Sequence, residues 1–133
     1  MARIYVDSSA IALPAPGNSS NPEPVAAPGA AEAIRHLAES DCEVVLLADR
    51  PLPRLGELPD GVSVTPTMPT PAGPDAWFVT SDPEGPWGRP RGTRTVLVGP
   101  RRAPGPLPLP RFDVEARDLS SAVIEILTRQ AMT

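Results

Sequence analysis

Lysine is absent from this chain. All 12 basic residues are arginine, so any mechanism that demands a lysine is excluded. The one cysteine, Cys42, rules out an intramolecular disulfide and a cysteine-rich zinc cluster, and the one histidine, His36, rules out a histidine-built metal site. No apolar run reaches the ~20 residues of a membrane span. The start has no basic segment followed by a long apolar one, so no secretory signal is read and a cytoplasmic, bacterial protein is expected. Proline and glycine are what the chain has in excess, 20 and 10 of its 133 residues. That load by itself points to disorder. The 41% hydrophobic share, gathered in compact runs, places the prolines between elements instead. A chain of this length builds a single domain, here residues 1–133.

The net charge of -4 argues against a specific nucleic-acid partner. The charge is uneven: residues 1–60 hold four arginines against nine acids, whereas the stretch from Arg89 to Arg111 holds six arginines and no acid. Arginine suits phosphate and carboxylate through its planar fork, so Arg89, Arg91, Arg94, Arg101 and Arg102 are candidates for an anion-binding patch, with a phosphorylated ligand as its partner and Arg89 and Arg91 as the first binding residues. A solvated loop balancing the acidic front half is the plainer reading.

Arg3 to Val6 reads as a short strand ending at Asp7. A Pro/Gly-rich loop over 8–27 follows. Pro28 then stands at a good first helical position, and Ala30, Ala33, Ile34, Leu37 and Ala38 recur at helical spacing. Glu43 to Leu47 is a near-continuous apolar run, as suits a strand buried on both faces of a parallel sheet. Pro51 and Pro53 leave room only for a brief helix through Leu52–Leu58. Val62-Ser63-Val64 reads as an edge strand, and Ala76–Thr80 and Arg94–Val98 as two more buried strands. Further Pro/Gly-rich loops fall at 66–75, 83–92 and 100–111. Asp118 is the expected N-cap of a last helix to Gln130, with Leu119, Ala122, Val123, Ile126 and Leu127 as its apolar stripe and Glu125 paired with Arg129. The expected fold is α/β: a small three-layer, Rossmann-like sandwich around a mainly parallel five-stranded sheet with few helices.

In such sheets ligands bind at the carboxyl ends of the strands. Three strands deliver polar groups there: Asp7-Ser8-Ser9, Ala48-Asp49-Arg50 and Ser81-Asp82. Converging carboxylates repel unless a cation lies between them, and magnesium is the natural candidate. Each aspartate taken singly is also a common turn residue after a strand.

The order of these segments resembles the haloacid dehalogenase-like superfamily, chiefly phosphatases and other phosphoryl-transfer enzymes. Ile4-Tyr5-Val6-Asp7-Ser8-Ser9 stands in the place of that family's first motif, a hydrophobic strand followed by Asp-x-Asp. Val44 to Arg50 is similar to the second-motif strand, and Trp77 to Asp82 to the fourth motif. The resemblance implies the strand order five-four-one-two-three. It makes Asp7 the nucleophile that forms an aspartyl-phosphate, with magnesium held by Asp7, the Ser9 carbonyl and Asp82, and Arg54 as the basic residue.

The match departs at two places. Ser9 stands where the acid/base aspartate belongs, and a hydroxyl cannot move protons near neutrality as a carboxyl does. Ala48 stands where a phosphate-binding hydroxyl belongs, and Asp49 beside it repels phosphate. General acid help is worth about 10²–10⁴-fold and a positioned donor about 10²–10³-fold, so little ordinary phosphatase activity is expected. The loop over 8–27 is too short for a cap domain. The sequence therefore reads as a degraded phosphatase site in a binding, scaffold or regulatory module, with a protein partner or self-association and no membrane. The alternative is a specialised magnesium-dependent hydrolase or phosphotransferase using Asp7. Trp87, in a Pro/Gly loop, either lines a binding surface or covers the sheet end. The prolines of 100–110 form a stiff connector or a ligand for proline-reading domains.

Overall fold

The computed structural model describes residues 3–12, 26–40, 42–48, 52–53, 55–56, 58–66, 76–81, 93–99 and 113–131. Along the chain these form β1 (Arg3–Asp7), α1 (Ser8–Ile11), α2 (Ala30–Glu39), β2 (Glu43–Leu47), β3 (Val62–Thr65), β4 (Ala76–Thr80), β5 (Arg94–Val98), β6 (Val114–Ala116) and α3 (Leu119–Ala131). The strands make one sheet in the order β3-β2-β1-β4-β5-β6, with every neighbouring pair parallel. The fold is thus α/β around a parallel sheet, with β1 central as expected and the first five strands in the expected neighbour relations.

Register and the two-residue strand period sort the side chains. Ile4 and Val6 share a face with Val44, Leu46, Trp77, Val79, Val96 and Val98. Against this face pack α2, through Ala30, Ala33, Ile34 and Leu37, and α3, through Leu119, Ala122, Val123 and Ile126. Leu55 joins the same cluster. On the opposite face Tyr5, Val45, Leu47, Ala76 and Phe78 form a second buried cluster, which none of the buried helix residues enters. Burial on both faces explains why β2 and β4 read as unbroken apolar runs.

The helix termini are set by local chemistry. Gly29 occupies the N-cap of α2 with φ of 78°, a left-handed conformation that glycine adopts without penalty. A Cβ there would lie 3.0 Å from the Ser120 hydroxyl, so the glycine also permits the close approach of α2 to the start of α3. Pro28 consequently stands one residue before the cap and not inside the helix. At α3, Asp118 Oδ1 accepts the Ser121 amide at 2.7 Å, the N-cap bond read from the sequence. Glu125 and Arg129 pair at 3.7 Å. His36 is exposed on α2 and Cys42 is buried.

The Ser121 hydrogen bonds hold the Asp118 carboxyl below its usual range. A depressed folded-state value means that the stabilisation is complete above the ordinary aspartate pKa of about 3.9 and is lost as pH falls through the folded value. Asp118→Ala is expected to cost about 1 kcal/mol at neutral pH. In urea melts the gap to the parent chain should narrow below pH 4. A gap that is constant across acid pH would show that the carboxylate charge plays no part.

Three elements differ from the sequence reading. Among the described residues the sheet has six strands rather than five, because Val114–Ala116 adds β6 beside β5. Asp113 anchors it, its Oδ2 accepting the Thr95 amide at 2.7 Å. The span read as loop from Ser8 contains α1, whose Ala10 and Ile11 turn down into the core. No helix occurs among the described residues between Leu52 and Leu58, where Leu55 is buried without one.

Candidate functional site

The chain runs from β1 through β2 to β3 on one side of the sheet, then crosses to β4, β5 and β6 on the other. The strand order therefore reverses between β1 and β4, and the crevice outside their carboxyl ends is where ligands bind in open parallel sheets. The register Val6↔Val79 sets the next pair, Asp7 and Thr80, side by side at that point. Both are buried, Asp7 at 2% and Thr80 at 1% exposure.

A compact hydroxyl–carboxylate network occupies the reversal point. Ser9 Oγ donates to Asp7 Oδ2 at 2.6 Å, and Thr80 Oγ1 donates to the same oxygen at 2.8 Å. The Ser9 and Thr80 hydroxyls lie 3.1 Å apart. Each has one proton, so with both protons on the carboxylate this last approach is a contact and not a third bond. Ser9 Oγ in turn accepts the Ser81 amide at 3.0 Å. The turn of α1 makes this possible: Ser9 is the second residue of a helix that begins directly after Asp7, which folds its hydroxyl back over the strand end. Ala12 donates to Ser8 O at 3.0 Å to close that turn, and Ala12 and Ala26 then form an antiparallel bridge.

Of the residues singled out from the sequence, the structure brings Asp7 and Ser9 together. Ala48 sits at the end of β2, its amide bonded to Thr65 O at 2.8 Å, and brings only a methyl group. Asp49, Arg54, Asp82, Trp87, Arg89 and Arg91 lie outside the described residues, as do the loops over 66–75, 83–92 and 100–111 apart from Pro66. Ser81, read from the sequence as one of the polar groups at this rim, takes part through its backbone amide, and Thr80 is the participant that the sequence reading left without a role. The signal was available, since Thr80 is the one polar residue in a strand of buried apolar ones and stands at the same depth as Asp7.

Of the three magnesium ligands that the resemblance implies, Asp7 and Ser9 are described and Asp82 is not. Magnesium demands a near-octahedral set of oxygens. At the tips of β1, β2 and β4, Asp7 is the single carboxylate among the described residues, and two hydroxyl protons already face its Oδ2. Nor do the described residues contain a group of three or more acids, cysteines and histidines placed to hold a metal. The network ties the end of β1, through one oxygen, to α1 and to the end of β4. No described helix is long and apolar enough to cross a membrane. Compared with known proteins, the chain matches no family model, no curated protein and no solved structure.

Proposed function

We propose that this chain is a haloacid dehalogenase-like domain whose phosphoryl-transfer site has degenerated, and that it works as a binding, scaffold or regulatory module for a protein partner or for its own copies. The observation that carries this reading is the double capping of Asp7 Oδ2 by Ser9 and Thr80. A carboxylate nucleophile needs a lone pair free to meet phosphorus, and at this oxygen the lone pairs meet hydroxyl protons. Ser9, at the acid/base position, donates its hydrogen bond to Asp7 and accepts the Ser81 amide, so its own proton is not directed at a leaving group. Ala48 adds no donor for phosphoryl oxygens. Positions where the family does its chemistry are here joined into a structural tie. The central β1, with β4 beside it, supports the assignment of ancestry.

The test is turnover of a generic aryl phosphate with and without magnesium, read beside the Asp7→Asn variant. The expected result is no magnesium-dependent turnover above that variant's background, and no magnesium-dependent rise in melting temperature. Turnover that Asp7→Asn abolishes would overturn the reading in favour of a magnesium-dependent hydrolase or phosphotransferase with Asp7 as nucleophile.

A further inference from the structure

The two edges of the sheet are built differently. On one side β6 is three residues long, with Glu115 exposed at its centre and Arg117 and Asp118 directly after it. Short length and charge are the ordinary means by which an edge is kept from pairing. On the other side β3, Val62-Ser63-Val64-Thr65, has neither charge nor proline, and Val64 is 52% exposed. Val44 donates to Gly61 O and Ala48 to Thr65 O, so by the alternation of a parallel ladder residues 61, 63 and 65 face β2. The amides and carbonyls of Val62 and Val64 therefore point away from the sheet. The Val62 amide reaches Pro59 O only at a long 3.4 Å.

We infer that β3 pairs antiparallel with β3 of a second copy, about a two-fold axis through Ser63, to join the two sheets edge to edge. The sequence is self-complementary in that register. Val62 of one copy opposes Val64 of the other, each such pair exchanging both of its amide–carbonyl bonds, and the exposed Val64 side chain gains a β-branched neighbour. Ser63 meets its own copy as the close, non-hydrogen-bonded pair on the axis. Asp60 falls opposite Pro66, so no acid faces an acid. Pro66, with no amide to give at the next outward position, confines the pairing to this segment. So short a pair makes a concentration-dependent dimer. The inference supplies a partner for the binding role proposed above and rests on that reading only for its purpose, since mass and turnover are read separately.

Sedimentation equilibrium of the full chain over a concentration series tests it. The mass should rise from 14.0 kDa toward twice that value. Ser63→Asp and Ser63→Lys each place like charges against each other on the axis and should raise the dissociation constant about fivefold or more. Mixing the two variants should restore association to at least the parent level. Ser63 is exposed, and an unchanged circular dichroism spectrum would confirm that both variants fold. A chain that stays at monomer mass throughout overturns self-pairing and leaves the edge to another protein's strand. A dimer indifferent to both substitutions, or a mixture no tighter than either variant alone, places the interface elsewhere and overturns it too.

Discussion

Replacing Asp7 with alanine lowers the unfolding free energy by about 2–5 kcal/mol, from two bonds to a carboxylate at roughly 1.5–3 each, less about 1 for the hydroxyl–hydroxyl bond that takes their place. That replacement bond is available because Ser9 and Thr80 already stand 3.1 Å apart. Asp7→Asn keeps an acceptor oxygen in the same place and should cost about 1 kcal/mol. Ser9→Ala and Thr80→Val share one acceptor, so their effects should not add, and a double-mutant cycle should return a measurable coupling. The direction of the Asp7 effect discriminates between roles. Residues retained for chemistry often sit at a cost to the fold, and their removal commonly raises stability. A carboxylate retained as a tie between β1 and β4 gives the opposite sign. Denaturant melts of Asp7→Ala that show a gain in stability would oppose a structural role for the network, whatever the turnover assays return.

The sequence was most legible where burial is two-sided. Val44 to Leu47 and Ala76 to Val79 are apolar at every position because both faces of the sheet are covered, and a run of that kind declares its strand without help from its neighbours. The α3 cap was readable for a different reason: Asp118 acts on an amide three residues away, so the whole device lies within one local segment. β6 escaped because three residues cannot establish a period, and what holds it is a bond from Thr95 to Asp113, 18 residues apart. α1 escaped because Ser8 and Ser9 read as loop residues. Its one-turn helix persists because Ala10 and Ile11 find the core, a tertiary cause with no local signature. The same division runs through the candidate site. Asp7 and Ser9 are two residues apart and stood out together, whereas Thr80 is 73 residues away from Asp7 and becomes a partner only through the β1–β4 register.

Trp77 offers the other large effect, and its size should depend on what replaces it. The side chain is 1% exposed, packed among Ile4, Val79 and Val96, so Trp77→Ala is expected to cost about 3–5 kcal/mol in lost burial and cavity formation. Trp77→Phe is a different experiment. The indole Nε1 is buried with no hydrogen-bond partner, the one such side-chain atom among the described residues. An unmet buried donor costs about 1–3 kcal/mol. Phenylalanine removes that donor while keeping most of the apolar contact, so the loss from the smaller ring and the gain from removing the unmet indole N–H oppose each other. The net change should stay within about 1 kcal/mol. Arg94, whose Cζ stands 5.2 Å from the ring centroid, keeps an aromatic face beside phenylalanine and loses it beside alanine. Chemical denaturation of the two variants side by side gives the comparison. Near-equal losses for alanine and phenylalanine would mean that the indole N–H contributes to the fold, and hence that it meets an acceptor such as a buried water.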